Sequence, residues 1–179
     1  MQSLRPGVAG LEARVLNDEV LELSNRTGRT VVVEGYEGEP YLCLRADGTV
    51  QINLRSPAAY LNEDRYARAT VPSTADHDAT PEWRRVADGG TVAWYDHRIH
   101  SMATRLPPEV EDEHVATHVR DWRVPLRVGG RAGAIAGSLD WRAPPHRTSA
   151  ALPIASGLSL LGIGAVLVAR RRRRGSVDL

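Results

Sequence analysis

The sequence predicts a mainly β chain: an antiparallel immunoglobulin-like β-sandwich followed by a single C-terminal transmembrane helix. Three observations predict it. Residues 11–142 break into short segments of alternating polarity separated by turn residues, and nothing before residue 150 shows sustained helical periodicity. Val119–Val128 alternates cleanly, with Trp122, Val124, Leu126 and Val128 on one face and Asp121, Arg123 and Arg127 on the other. Ala150–Ala169 runs for twenty residues without a charge.

Residues 1–10 (MQSLRPGVAG) read as an N-terminal lead. They carry no apolar h-region, so an exported domain implies a signal peptide that is missing from this start or already trimmed. The β-sandwich ectodomain is expected over 11–142. Leu11–Leu16 and Val20–Ser24 flank Asn17-Asp18, a tight-turn pair, and Thr30–Gly35 is rich in β-branched residues. Tyr41–Arg45 and Thr49–Asn53 flank Ala46-Asp47-Gly48, a hairpin with glycine where positive φ is needed. Thr91–His100 reads as one long strand. After Val119–Val128, Gly129-Gly130 turns the chain into Ala132–Trp141, whose Gly133 and Gly137 share a face and predict close approach of another segment. Seven or more such strands are the pattern of a two-sheet immunoglobulin-like fold. Leu54–Gly90 has no clear periodicity beyond a candidate strand at Tyr66–Val71, and the remainder reads as surface decoration or a functional loop.

Residues 143–149 (APPHRTS) form a Pro-rich stalk. Twenty residues at 1.5 Å each span about 30 Å, the thickness of the hydrocarbon core, so 150–169 reads as a transmembrane helix. The tail, 170–179, begins with Arg170–Arg174. Arginines beside a span stay on the cytoplasmic side. The expected topology is therefore a single-pass protein of the cell membrane, its ectodomain outside and its C-terminus cytoplasmic. The rival, a tail-anchored protein with a cytoplasmic domain, would force five arginines across the bilayer.

Composition excludes several classes of function. All 23 basic residues are arginine, which rules out Schiff-base and P-loop lysine chemistry. Without the tail, residues 1–149 are mildly acidic and lack a broad basic patch, so nucleic acid is not an expected partner. Cys43 is the single cysteine, which excludes an intramolecular disulfide and predicts a small buried thiol. Asn25-Arg26-Thr27 matches a glycosylation sequon. No G-x-S-x-G, H-E-x-x-H or glycine-rich phosphate loop occurs, so the chain is expected not to be an enzyme.

One segment concentrates metal-ligand types. Trp94–Met102 (WYDHRIHSM) holds Asp96, His97, His100 and Met102; imidazole with thioether suits copper, and two histidines with a carboxylate suit zinc or copper(II). On a regular strand His97 and His100 point to opposite faces, so a bulge near Ile99 would be needed to unite them. The plainer reading hydrogen-bonds one histidine to backbone and pairs Asp96 with Arg98. His114 and His118, four apart, would share a face only on a helical turn.

Gly35–Gly48 (GYEGEPYLCLRADG), Arg55–Tyr66 (RSPAAYLNEDRY), Asp96–His100 (DHRIH) and Asp121–Gly130 (DWRVPLRVGG), together with the anchor, resemble an uncharacterised family of bacterial exported proteins. That family has a β-rich ectodomain and a C-terminal membrane anchor. An aromatic follows the second histidine there, where this chain has Ser101. The resemblance implies topology and no established activity. The outline is also similar to anchored copper-resistance β-sandwich domains, which hold copper through histidines; their N-terminal histidine ligand has no counterpart near Met1. The expectation is thus a membrane-anchored, non-enzymatic binding or accessory module of a membrane complex. Its partners would be the lipid bilayer and a protein at the cell surface. The alternative is a copper-handling domain using Asp96–Met102.

Overall fold

The structure is a computed structural model that describes residues 2–5, 7–102 and 105–145, with only the backbone of 2–5. The described chain up to Pro144 belongs to one compact unit. It contains the strands β1 (Gln2–Arg5), β2 (Leu11–Leu16), β3 (Val20–Asn25), β4 (Val31–Glu34), β5 (Pro40–Leu44) and β6 (Val50–Asn53). A single helical turn, α1 (Ala58–Leu61), precedes β7 (Trp83–Ala87), β8 (Thr91–Tyr95), β9 (Thr117–Val128) and β10 (Arg131–Trp141). Strand pairings among the described residues are antiparallel. They build a seven-stranded sheet in the order β1-β10-β9-β4-β5-β6-β7 and a three-stranded sheet in the order β2-β3-β8.

The turns set this order. Asn17 and Asp18 both take positive φ (50° and 61°), the twist-matched turn that Asn and Asp tolerate, and β2 pairs with β3 in register from Leu16–Val20 to Leu11–Asn25. Gly48 at φ 87° closes β5 onto β6. Alternation along the strands then sends one face of each sheet inward. Leu21 and Leu23 of β3 meet Val31, Val33, Leu42, Leu44, Val50, Val124, Leu126, Val128 and Ile135 of the large sheet, all buried. Each fully buried side chain of this kind stabilises the fold by roughly 1.5–3 kcal/mol. Gly137 sits opposite Trp122 across β10 and β9, where an added Cβ would overlap the indole. At Gly137 the close approach read from the sequence is real, and Trp122 makes it.

Several expectations are corrected. The immunoglobulin-like arrangement is not met: short turns join β4 to β5 and β5 to β6, and after residues 54–82 β7 returns beside β6, giving seven strands against three. Residues 2–5 are no loose lead but an edge strand paired with β10, from Gln2–Gly137 to Arg5–Ala134. Thr91–His100 is a strand only to Tyr95. Tyr66–Val71 forms no strand, whereas Leu54–Gly90 contributes α1 and β7.

The transmembrane anchor is likewise corrected. No helix among the described residues is long and apolar enough to cross a membrane. α1, the one helix among the described residues, is four residues, about 6 Å at 1.5 Å per residue, against about 30 Å of hydrocarbon. Residues 150–169 and the arginine tail lie outside the described residues. Single-pass topology, the lipid bilayer as partner, a cell-surface protein partner and outward placement at the cell membrane all rested on that span. They are withdrawn with it, as is the membrane-anchored accessory role.

Buried polar groups fasten the segment after β6. Asn53 donates to the Pro40 carbonyl at 2.7 Å and accepts from the amides of Arg55 and Glu82 at 3.0 and 2.8 Å, tying the end of β6 to the start of β7. Ser56 donates to the buried Glu39 carboxylate at 2.7 Å. Asn25 is buried, and its amide donates to the carbonyls of Arg29 and Leu44, so it serves the fold and offers no open glycan acceptor. Cys43 is a buried free thiol whose pKa burial pushes up.

Candidate functional site

β8 delivers the chain to the site and a tight turn closes it. The Ile99 amide donates to the Asp96 carbonyl at 3.0 Å, so Asp96–Ile99 is a turn where strand was expected. That turn answers the parity objection. His97 Nδ1 lies 3.3 Å from His100 Nε2, with the rings edge to face and their centroids 5.3 Å apart. His100 and Ile99 are 2% and 3% exposed. From β9, Arg120 donates to the His100 carbonyl at 2.9 Å and holds the turn down.

Three contacts orient His97. Its amide donates to the Tyr36 hydroxyl oxygen at 3.1 Å, its ring stacks on Tyr36 at 14°, and its Nε2 faces the Leu61 carbonyl at 2.7 Å. A carbonyl only accepts, so Nε2 carries the hydrogen, and the neutral ring keeps its Nδ1 lone pair toward His100. The Leu61 carbonyl is an end group of α1 without an intrahelical partner, and His97 caps it.

His100 has two arrangements open to it. Its Nδ1 lies 3.3 Å from the Ser101 carbonyl and 3.5 Å from the Arg65 guanidinium. If Nδ1–H donates to Ser101, Nε2 is left with a lone pair, and two acceptors face each other across 3.3 Å. If instead Nδ1 accepts from Arg65, Nε2–H donates to His97 and a continuous chain of bonds runs from Arg65 to Leu61. A cation completes the first arrangement; the second is closed by hydrogen bonds alone. Burial, with the positive charge of Arg65 and of His97 when protonated, pushes the His100 pKa down against the Ser101 carbonyl and Glu19. The neutral ring that a metal requires is therefore the favoured form.

The other two predicted ligands are not brought to the pair. Asp96 is fully buried, and both its oxygens are engaged: Oδ1 accepts from Arg98 Nε at 2.8 Å, and Oδ2 from Arg98 Nη2 at 2.8 Å and Trp94 Nε1 at 3.0 Å. Arg98 goes on to the carbonyls of Gly35 and Glu34 and lies over the Tyr36 ring at 4.9 Å. Asp96 is thus a strut that fixes the turn to the large sheet. Met102 is 40% exposed. His114 and His118 share no helical turn; His118 sits in β9 and pairs with Asp140 at 2.9 Å.

Two features escaped the sequence reading. His100 and Arg65 line a cavity of about 370 Å³ with Glu19, Arg105, Asp140 and Trp141, and Arg65 donates to Glu19 at 2.7 Å. Asp76, His77 and Asp78 form an exposed cluster whose ligand atoms lie within 4.8 Å of one another, a group that could hold a metal ion. His77 Nδ1 is also 3.1 Å from Glu37 Oε2, and the Asp76 amide donates to the Arg55 carbonyl at 2.8 Å. The only sequence signal was a histidine between two acids in a polar run.

No protein-family model, no curated protein and no solved structure matches this chain.

Proposed function

We propose that the chain is a metal-binding β domain, and that the ion is held between His97 Nδ1 and His100 Nε2. The observation that carries this is the 3.3 Å convergence of the two nitrogens. Two bonds of about 2.0 Å to atoms so spaced meet at roughly 110°, near the tetrahedral angle. The Leu61 carbonyl on the far nitrogen of His97 supplies the support that ligating histidines use to fix their tautomer and orientation. Two neutral imidazoles, with no thiolate and a carboxylate already committed elsewhere, suit copper or zinc. Solvent would complete the coordination.

A second reading places the ion at Asp76, His77 and Asp78, and the proximity of their three ligand atoms favours it. Harder, oxygen-preferring cations suit that set. Calorimetric titration with copper(II), zinc and, for the exposed cluster, manganese(II) separates the two. The expected result is one stoichiometric site in the wild type, at least a hundredfold weaker binding in His97→Ala/His100→Ala, and undiminished binding in Asp76→Asn/Asp78→Asn. Loss only in the second variant moves the site to the exposed cluster. Equal binding by all three proteins, or none by any, rejects both readings.

A further inference from the structure

At the end of the strands away from the histidine turn, a cavity of about 320 Å³ opens between the two sheets. β3 shows the separation. Its first residue, Val20, pairs with Tyr95 just before the turn, and its last, Asn25, pairs with Leu11, which lines the cavity. Leu11 of β2, Leu126 and Val128 of β9 and Ala134 of β10 give the cavity an apolar floor, and all four are buried. The volume lies at the lower end of the range of about 300–1,000 Å³ usual for small-molecule sites.

Two arginines also line it, Arg29 from the turn before β4 and Arg131 at the first position of β10. Val128 pairs with Val31 on one side and with Arg131 on the other, so the two arginines flank the end of β9. Both are exposed, and neither guanidinium has a carboxylate partner among the described residues. Arg127, in the same hairpin, is by contrast paired with Glu34 at 2.8 Å. Backbone geometry places the Arg29 stem. The Gly129 amide donates to the Thr30 carbonyl at 2.8 Å, and a Cβ at Gly129 would come within 3.2 Å of Arg29 Cδ. The stem therefore lies along the β9–β10 turn, as long cationic side chains do on apolar surface. No acidic residue lines the cavity, so its charge is of one sign, although the chain before its C-terminal tail is mildly acidic.

We propose that this cavity binds an amphipathic carboxylate, a free monocarboxylic acid whose apolar tail enters between the sheets while its head meets Arg29 and Arg131. Charge and polarity select the class together. A cation meets two like charges, and a neutral molecule leaves both guanidiniums unmatched. A small hydrated anion gains nothing from the buried apolar floor. A carboxylate on an apolar tail satisfies both, because a guanidinium presents paired N–H donors at the spacing of the two carboxylate oxygens. The site shares no residue with the histidine turn and does not depend on metal binding.

The test is titration of the full ¹⁵N-labelled chain with octanoate, reading the backbone amides of Leu11, Val128 and Ala134, beside parallel titrations with 1-octanol and acetate. The same series is run on Arg29→Gln/Arg131→Gln, which removes both charges at exposed positions without breaking an ion pair. The expected result is a saturable shift with octanoate and at least tenfold weaker binding of octanol and of acetate. The double variant is expected to bind octanoate at least tenfold more weakly and octanol as the wild type does. If the double variant does not fold, the three ligands on the wild type decide. No saturable octanoate shift, octanol or acetate binding as tightly as octanoate, or undiminished octanoate affinity in the folded variant would each overturn the proposal.

Discussion

At His100 a single ring answers to its whole surroundings. Arg65, His97, Glu19 and the Ser101 carbonyl all act on it, and burial dominates, holding its pKa below the usual 6.5. The sign of the consequence follows from linkage. The unfolded chain takes up a proton near pH 6.5 and the folded ring resists it, so the contribution is fully present above that pH and is lost as pH falls toward the folded pKa. In the metal-free protein the urea midpoint is therefore expected to fall between pH 7.5 and pH 5.5, and to fall less in His100→Gln. An identical decline in both proteins would contradict the burial argument. Residue identity alone signalled part of this site: two histidines and a carboxylate within five positions. It could not signal that Asp96 is spent on Arg98.

Elements explain why the histidines meet. A strand would have sent them to opposite faces; the Asp96–Ile99 turn brings them together, and the buried Asp96–Arg98 pair fastens that turn to the carbonyls that end β4. Removing one member leaves the other buried and unpaired, which costs about 3–5 kcal/mol. Asp96→Ala is expected to lose that much in urea unfolding, and Asp96→Ala/Arg98→Met to recover part of it. A single variant within about 0.5 kcal/mol of wild type would show that the pair does not support the turn. The hairpins were legible because their turns are chemically explicit, as at Asn17-Asp18, Gly48 and Gly129-Gly130. β9 was legible because one of its faces is buried. β7 was not, because Trp83–Ala87 is an edge strand with three consecutive exposed residues and so has no alternation to read. α1, one turn long, is too short for any periodicity.

For the whole molecule, local pattern gave strands but not their partition into sheets. Seven and three follow from β7 and β8 diverging after a three-residue connection, and from residues 2–5 closing the far edge, neither of which leaves a periodic trace. The consequence is functional. The meander carries the Gly35–Glu39 turn to the histidines, where Tyr36 supports His97, Glu37 faces His77, and the end of α1 presents Leu61 to His97 and Asn62 to Tyr36. An uncharged C-terminal run dominated the sequence reading, while the chemistry gathers around this one turn. The most direct test is long-range ¹H–¹⁵N NMR of the histidine rings during addition of one equivalent of zinc, a diamagnetic stand-in for copper. His97 Nδ1 and His100 Nε2 are expected to shift together and saturate at one ion per chain, with His77 unmoved. Shifts confined to His77, or none at either nitrogen of the pair, would contradict it.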